Sequence, residues 1–147
     1  MRAMISIAAF AGCIVAEPAQ AQAEQRLAET SSIIAENVLI DGKTYVRLPE
    51  RQLRTMVVGR QIMATVQHAA HQVVMFFGKD GTYESSVGRD PLESGTYVIS
   101  NGAVLVRVPG GESIERRLYQ AADDELMMAT RNGTDEVHWT KVRVRPL

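Results

Sequence analysis

The stretch from Val73 to Val108 most constrains the fold, because short runs of alternating apolar residues follow one another in it with turn residues between them. Val73, Met75 and Phe77 fall on one face of an extended chain, and the residues between them fall on the other. Such runs are typical of neighbouring antiparallel strands, so the sequence predicts a β-meander here.

The turn residues of this stretch predict where its strands end. Lys79-Asp80-Gly81 is expected to connect two strands, and Asn101-Gly102 supplies the two positive-φ positions of a type I′ turn. Asp90-Pro91 is expected to break the pairing, so that the next strand starts at Ser94.

The rest of the chain extends this meander. Counted from Arg60, about eight short strands follow at the spacing expected of a barrel or sandwich. Before them, Val38 to Leu48 predicts a hairpin around Asp41-Gly42, and Pro49 to Gly59 predicts a short helix that ends at a glycine. We therefore expect a mainly β fold: an antiparallel barrel or half-barrel with a short N-terminal helix and hairpin.

The first residues have the pattern of a secretory signal. One positive charge at Arg2 precedes an apolar run over residues 3–16, which is too short to remain as a membrane anchor. Two overlapping A-x-A sites predict cleavage after Ala21 or Ala23, and so a periplasmic or secreted protein without a transmembrane segment. In the alternative interpretation, Cys13 follows a lipobox-like sequence and becomes a lipidated N-terminus.

Composition excludes several classes of function. Cys13 is the only cysteine, so a chain cleaved at the A-x-A sites has no disulfide, thiol nucleophile or cysteine metal site. A net charge of −1 and 5% aromatic residues argue against a nucleic-acid-binding protein, which needs a basic face or stacking rings.

Two motifs carry a family resemblance. The F-x-x-D-G-T sequence of Phe77 to Thr82 and the S-G-T-Y sequence of Ser94 to Tyr97 resemble small exported lipocalin-like proteins of bacteria, whose functions are largely uncharacterised. The resemblance runs over residues 49–145 and implies a β-barrel. The predicted organisation is a signal peptide over 1–23, a leader and hairpin over 24–48, and a lipocalin-like β domain over 49–147.

No residue pattern predicts catalysis or a metal site. His68 and His71 would share a face only on a helical turn, and we interpret them as solvated loop histidines. His138 beside Trp139 predicts a packing pair, and the acidic residues 123–125 predict a solvated turn. A nucleophile elbow of the G-x-S-x-G type is missing from the sequence. We expect a protein without enzymatic activity, metal or cofactor.

The closing strand carries a basic stripe. Lys141, Arg143 and Arg145 alternate with Val142 and Val144, so the three cations face solvent if the valines face the core. The stripe either binds an acidic partner or protects an edge strand against aggregation.

Two functions from different classes agree with these patterns. In the first, the barrel binds a small apolar ligand. Five residues are predicted to line that cavity: Met75, Phe77, Tyr97, Val106 and Met128. In the alternative, the core is filled, and the protein is a periplasmic inhibitor or envelope component that binds another protein through a sheet edge or the hairpin of residues 38–48.

Overall fold

The computed structural model describes residues 35–65, 71–133 and 136–147, and the predicted signal peptide and most of the leader lie outside these ranges. The described residues form ten strands and one helix. In chain order these are β1 (Asn37–Ile40), β2 (Lys43–Arg47), α1 (Glu50–Val57), β3 (Arg60–Thr65), β4 (Gln72–Phe77), β5 (Thr82–Val87), β6 (Asp90–Ser100), β7 (Ala103–Arg107), β8 (Ser113–Ala121), β9 (Leu126–Asn132) and β10 (His138–Pro146).

Strands β3 to β10 form a closed eight-stranded antiparallel barrel. Each strand pairs with the next one along the chain, and β10 then pairs with β3, with Val142 opposite Ala64 and Val144 opposite Ile62. Closure leaves no free edge on the barrel itself. The predicted mainly β, lipocalin-like architecture is confirmed.

Turn chemistry explains why these strands pair in register. Asp41 and Gly42 have φ values of 50° and 76°, and Asn101 and Gly102 have 54° and 68°, as type I′ turns require. The predicted break at Asp90-Pro91 is wrong, because β6 starts at Asp90. A bulge at Ser85/Ser86 lets one residue of β5 face two of β6, and proline is tolerated beside such an irregularity.

Helix α1 closes one end of the barrel, which we call the helix end. Leu53 and Val57, one turn apart, are both fully buried in the barrel core. The Arg54 side chain pairs with Glu50 and donates a hydrogen bond of 2.8 Å to the carbonyl of Ile99 at the end of β6. In the described part of the chain, no helix has the length and hydropathy needed to cross a bilayer.

The hairpin of β1 and β2 is hydrogen-bonded to the barrel wall. The first residues of β8 pair with β7, and its last residues pair with β2 along the same edge, so that Tyr45 lies opposite Ala121 and Arg47 opposite Tyr119. The hairpin therefore continues the sheet at the point where β7 leaves β8.

Candidate functional site

The five residues predicted to line a ligand cavity lie inside the barrel and belong to one packed core. Their exposed fractions are 7% or less. The ring of Phe77 lies 5.1 Å from that of Tyr97 and 5.3 Å from that of Tyr83, distances at which aromatic rings attract each other. The Tyr97 hydroxyl donates a 2.7 Å hydrogen bond to the carbonyl of Gly78. Near the helix end, the side chains of the protein itself occupy the interior.

Among the polar side chains on the inner face of the described strands, three have buried hydrogen-bonding atoms without a partner. On β8, Arg116 lies on the same face as its core neighbours Ile114 and Leu118 and is only 9% exposed. On β5, Tyr83 and Ser85 are two residues apart, directly across from Phe77 and Met75 of β4 and on the same inner face. We call Tyr83, Ser85 and Arg116 the interior polar cluster.

The interior polar cluster has unsatisfied hydrogen-bonding atoms. The Tyr83 hydroxyl, the Ser85 Oγ, and the Nε and Nη1 of Arg116 are all buried without a hydrogen-bond partner. The guanidinium carbon of Arg116 lies 5.2 Å from the ring centroid of Tyr83, which is a cation–π contact. That contact attracts the charge but leaves the N–H groups unbonded.

The other buried arginines differ from Arg116 in this respect. Arg117 and Arg131 point to the outer face of β8 and β9, where both form ion pairs with Glu115. Among the described residues no salt bridge involves Arg116. An unpaired charge that is removed from water is unfavourable by several kcal/mol, so Arg116 is the least satisfied group of the barrel interior.

Apolar side chains surround the cluster on the side away from the helix. Val73 and Val87 lie opposite each other at the far ends of β4 and β5, and Val108 directly follows β7. All three are half-buried, in contrast to the buried core beneath them. We call these three residues the valine collar. A molecule that reached the interior polar cluster from this end would contact the collar.

Sequence reasoning missed the interior polar cluster, although one signal was present. In β8 the sequence I-E-R-R-L places an arginine between two apolar residues at alternating positions. An arginine at such a position faces the core, where long charged side chains are seldom buried unless they are paired.

The cluster presents groups that can bind a hydrogen-bond acceptor. The N–H groups of Arg116 can only donate, and the hydroxyls of Tyr83 and Ser85 can donate as well. The arrangement presents several donors and one positive charge to whatever occupies the space beside them.

The predicted basic stripe lies on the outer surface. Lys141, Arg143 and Arg145 are exposed, Val142 is buried, and Val144 packs partly against the core. The interpretation as a protected edge strand is wrong, because β10 pairs with β3 on one side and β9 on the other. A surface cleft of about 650 Å³ is lined both by the stripe and by the acidic residues 123–125. The local charge is therefore mixed.

Glu125 connects the hairpin to the barrel. Its carboxylate accepts hydrogen bonds from Lys141 of β10 and from the hydroxyl of Tyr45 of β2, and Lys43 lies 3.3 Å away. Lys43 also pairs with Asp123 at 2.7 Å. The hydrogen bond from Lys141, followed by that from Tyr45, lowers the pKa of Glu125 to about 2.

The two histidines that the structure describes take no part in these clusters. His71 is exposed, and His68 lies outside the described residues. His138 is also exposed, whereas Trp139 packs its ring edge-on against Tyr119 with the centroids 5.0 Å apart. The packing partner of Trp139 is therefore an aromatic residue two strands away in the sheet.

Comparison with known proteins identifies no relative. No protein-family model, curated protein sequence or solved structure gives a significant match to the chain. A function for this protein must therefore be argued from the geometry of its own residues.

Proposed function

We propose that this protein is an exported, non-enzymatic module that binds a small molecule inside its β-barrel, at the interior polar cluster. The observation that carries this proposal is the buried, unpaired guanidinium of Arg116 beside two hydroxyls without partners. The signal-like N-terminus and the resemblance to exported lipocalin-like proteins support the location outside the cytoplasm.

The energetics of burial support a bound ligand. Each buried polar group without a partner destabilises the fold by about 1–3 kcal/mol, and more if it is charged. Four such atoms lie within the barrel. They belong to three side chains, and all three side chains point into the interior. A ligand that accepts hydrogen bonds from these donors would remove that penalty.

The position of the cluster supports the same proposal. At the helix end, Phe77 and Tyr97 already fill the interior, so a ligand has no space there. An eight-stranded barrel is just wide enough to be filled by side chains or to hold one small ligand. The ligand site is therefore moved from the five predicted lining residues to the interior polar cluster and the valine collar.

Native mass spectrometry of the purified chain is the first test. The protein is expressed in its own host and purified without detergent, and any bound molecule is released and identified. We expect one small molecule per chain and a reduced occupancy in Arg116→Met. An empty protein that also fails to gain thermal stability with any member of a metabolite library would contradict the proposal.

A second function is favoured by a different observation. Among the described residues β1 pairs only with β2, so its outer edge is free, and Leu39 and Val46 are 70% and 53% exposed on the same face of the hairpin. A free strand edge with apolar side chains is suited to pairing with a strand of another protein. This is the inhibitor or envelope-component interpretation.

Site-specific photocrosslinking separates this second function from the first. A photoreactive phenylalanine analogue is placed at Leu39, and a control is placed at Val98, which is equally apolar and 53% exposed on the outer face of β6. Strand addition predicts one discrete adduct from position 39 in the living host and none from position 98. Equal labelling at both positions, or none at either, would contradict it.

A further inference from the structure

We infer that the ligand is a small amphipathic monocarboxylate, bound head-first with its carboxylate on Arg116 and its apolar tail in the valine collar. This inference rests on the proposed function and assigns a chemical class to the same site. Three features of the interior carry it: the donor character of the cluster, the count of buried charges, and the placement of half-buried apolar residues.

The donor character selects an acceptor. Every unsatisfied atom of the interior polar cluster belongs to a group that can donate, and the guanidinium cannot accept. A carboxylate offers two oxygens with about four acceptor positions, so it can meet Arg116 and one of the hydroxyls at the same time. The Cα atoms of Tyr83 and Ser85 are about 7 Å apart along β5. Because the two residues alternate along the strand, both side chains face the barrel interior.

The charge count selects a monoanion. Arg116 is the one buried arginine on the inner face of the described strands, since the other two buried arginines, Arg117 and Arg131, lie on the outer face and pair with Glu115. A single carboxylate neutralises a single guanidinium. A dianion such as a phosphate monoester would leave a net negative charge in a low-dielectric interior, which is unfavourable.

The apolar residues select the orientation. Phe77 and Met75 are buried on the strand next to the cluster and belong to the packed core on the side of the helix end. On the other side, Val73, Val87 and Val108 are half-buried and present apolar surface that a short alkyl or aryl group would cover. The carboxylate therefore binds at the inner position and the tail points away from the helix end.

Octanoate and octanol provide matched probes, because they share a chain length and differ in charge. Titration calorimetry of the purified full chain should give one octanoate site per chain and an affinity for octanol that is lower by about 10- to 100-fold, as expected for loss of hydrogen bonds to a charged group. Octyl phosphate, the dianionic probe, should bind more weakly than octanoate.

Two arginine variants test the assigned residue. Arg116→Met keeps an unbranched apolar stem and removes the guanidinium, so it should reduce octanoate affinity to that of octanol. Arg107→Met is the matched control, because Arg107 is exposed on the outer face of the neighbouring strand β7, and it should leave octanoate affinity unchanged.

Thermal melting without ligand distinguishes a ligand-binding role of Arg116 from a purely structural one. Replacing a buried unpaired charge with an apolar side chain of similar size should leave the melting temperature of empty Arg116→Met equal to or above that of wild type. A lower melting temperature would show that Arg116 stabilises the fold by packing and would overturn the inference.

The inference and the proposed function fail in different ways. Equal affinity for octanoate and octanol, or recovery of an uncharged molecule from the native protein, would overturn the monocarboxylate and leave a ligand-binding barrel. Octanoate binding that survives in Arg116→Met would overturn the assignment of the site. Absence of binding by both probes, together with an empty native protein, would overturn both.

Discussion

Two tyrosines of the same barrel wall have different surroundings. Tyr97, near the helix end, donates its hydroxyl proton to the carbonyl of Gly78 at 2.7 Å, whereas the hydroxyl of Tyr83 is buried without a partner. Both rings pack against Phe77. At the helix end, therefore, the tyrosine hydroxyl finds its acceptor within the protein, whereas the donors of the interior polar cluster have no acceptor.

The largest loss of stability is expected at the helix end, where the side chains are fully buried. Phe77→Ala removes a fully buried ring that contacts both tyrosines and should lower the free energy of unfolding by about 3–5 kcal/mol. Val73→Ala, in the valine collar, removes a half-buried side chain and should cost clearly less. Chemical denaturation of both variants measures the difference, and similar losses would remove the distinction between the two regions.

A smaller loss of stability is expected from a substitution at Gly102, in the turn between β6 and β7 at the helix end. Gly102 has a φ of 68°, and a Cβ at this position would have ordinary contacts only, so the cost of Gly102→Val comes from the backbone conformation. We expect about 1–3 kcal/mol of destabilisation. An unchanged melting temperature would rule out the type I′ turn between β6 and β7.

Removal of each tyrosine hydroxyl tests the comparison directly. Tyr97→Phe deletes a hydrogen bond and should destabilise the protein by about 0.5–1.5 kcal/mol. Tyr83→Phe deletes a buried hydroxyl that has no partner, so the empty protein should be unchanged or slightly more stable. Denaturation in the absence of ligand is the measurement, and equal losses for the two variants would contradict the assignment of unsatisfied donors to the interior polar cluster.

The smallest effect on stability is expected at Glu125. Its carboxylate accepts hydrogen bonds from Tyr45 and Lys141 near the surface, where water can replace them. Its pKa is about 2 in the folded protein against an ordinary value of 4.5, so its stabilising contribution is complete above pH 4.5 and is lost as the pH falls toward 2. Glu125→Gln should therefore melt below wild type at pH 7. The difference should shrink between pH 4.5 and 2 and should also shrink in high salt.

The sequence predicted most of the architecture because turns and alternation are local signals. Asn101-Gly102 and Asp41-Gly42 specify their turns through their own backbone preferences. The helix itself ends at Val57 with Val58 extended, and Gly59, with a φ of 65°, follows and donates its N–H to the carbonyl of Phe77. The bulge at Ser85/Ser86 was missed because nothing in the residues of β5 alone indicates the extra residue that β6 accommodates.

The candidate site could not be predicted in the same way. Both faces of β8 carry an arginine, and the sequence alone does not say that Arg117 meets Glu115 while Arg116 meets no carboxylate. That difference depends on which strands surround the barrel interior, and so on closure by β10 and β3. Met75, Phe77 and Val106 were placed inside the barrel, but whether they line or fill it depends on packing volume, which the pattern does not contain.

Strands β7 and β2 pair with different residues along the same edge of β8, and this arrangement affects the order of folding. The hairpin of β1 and β2 leaves the ribosome early, yet its partner residues on β8 are made only after most of the barrel sequence. Such pairings between distant parts of a chain form slowly. During that interval the edge of β2 that later meets β8 stays unpaired, which leaves the hairpin of the nascent chain open to wrong pairing and to capture by a chaperone.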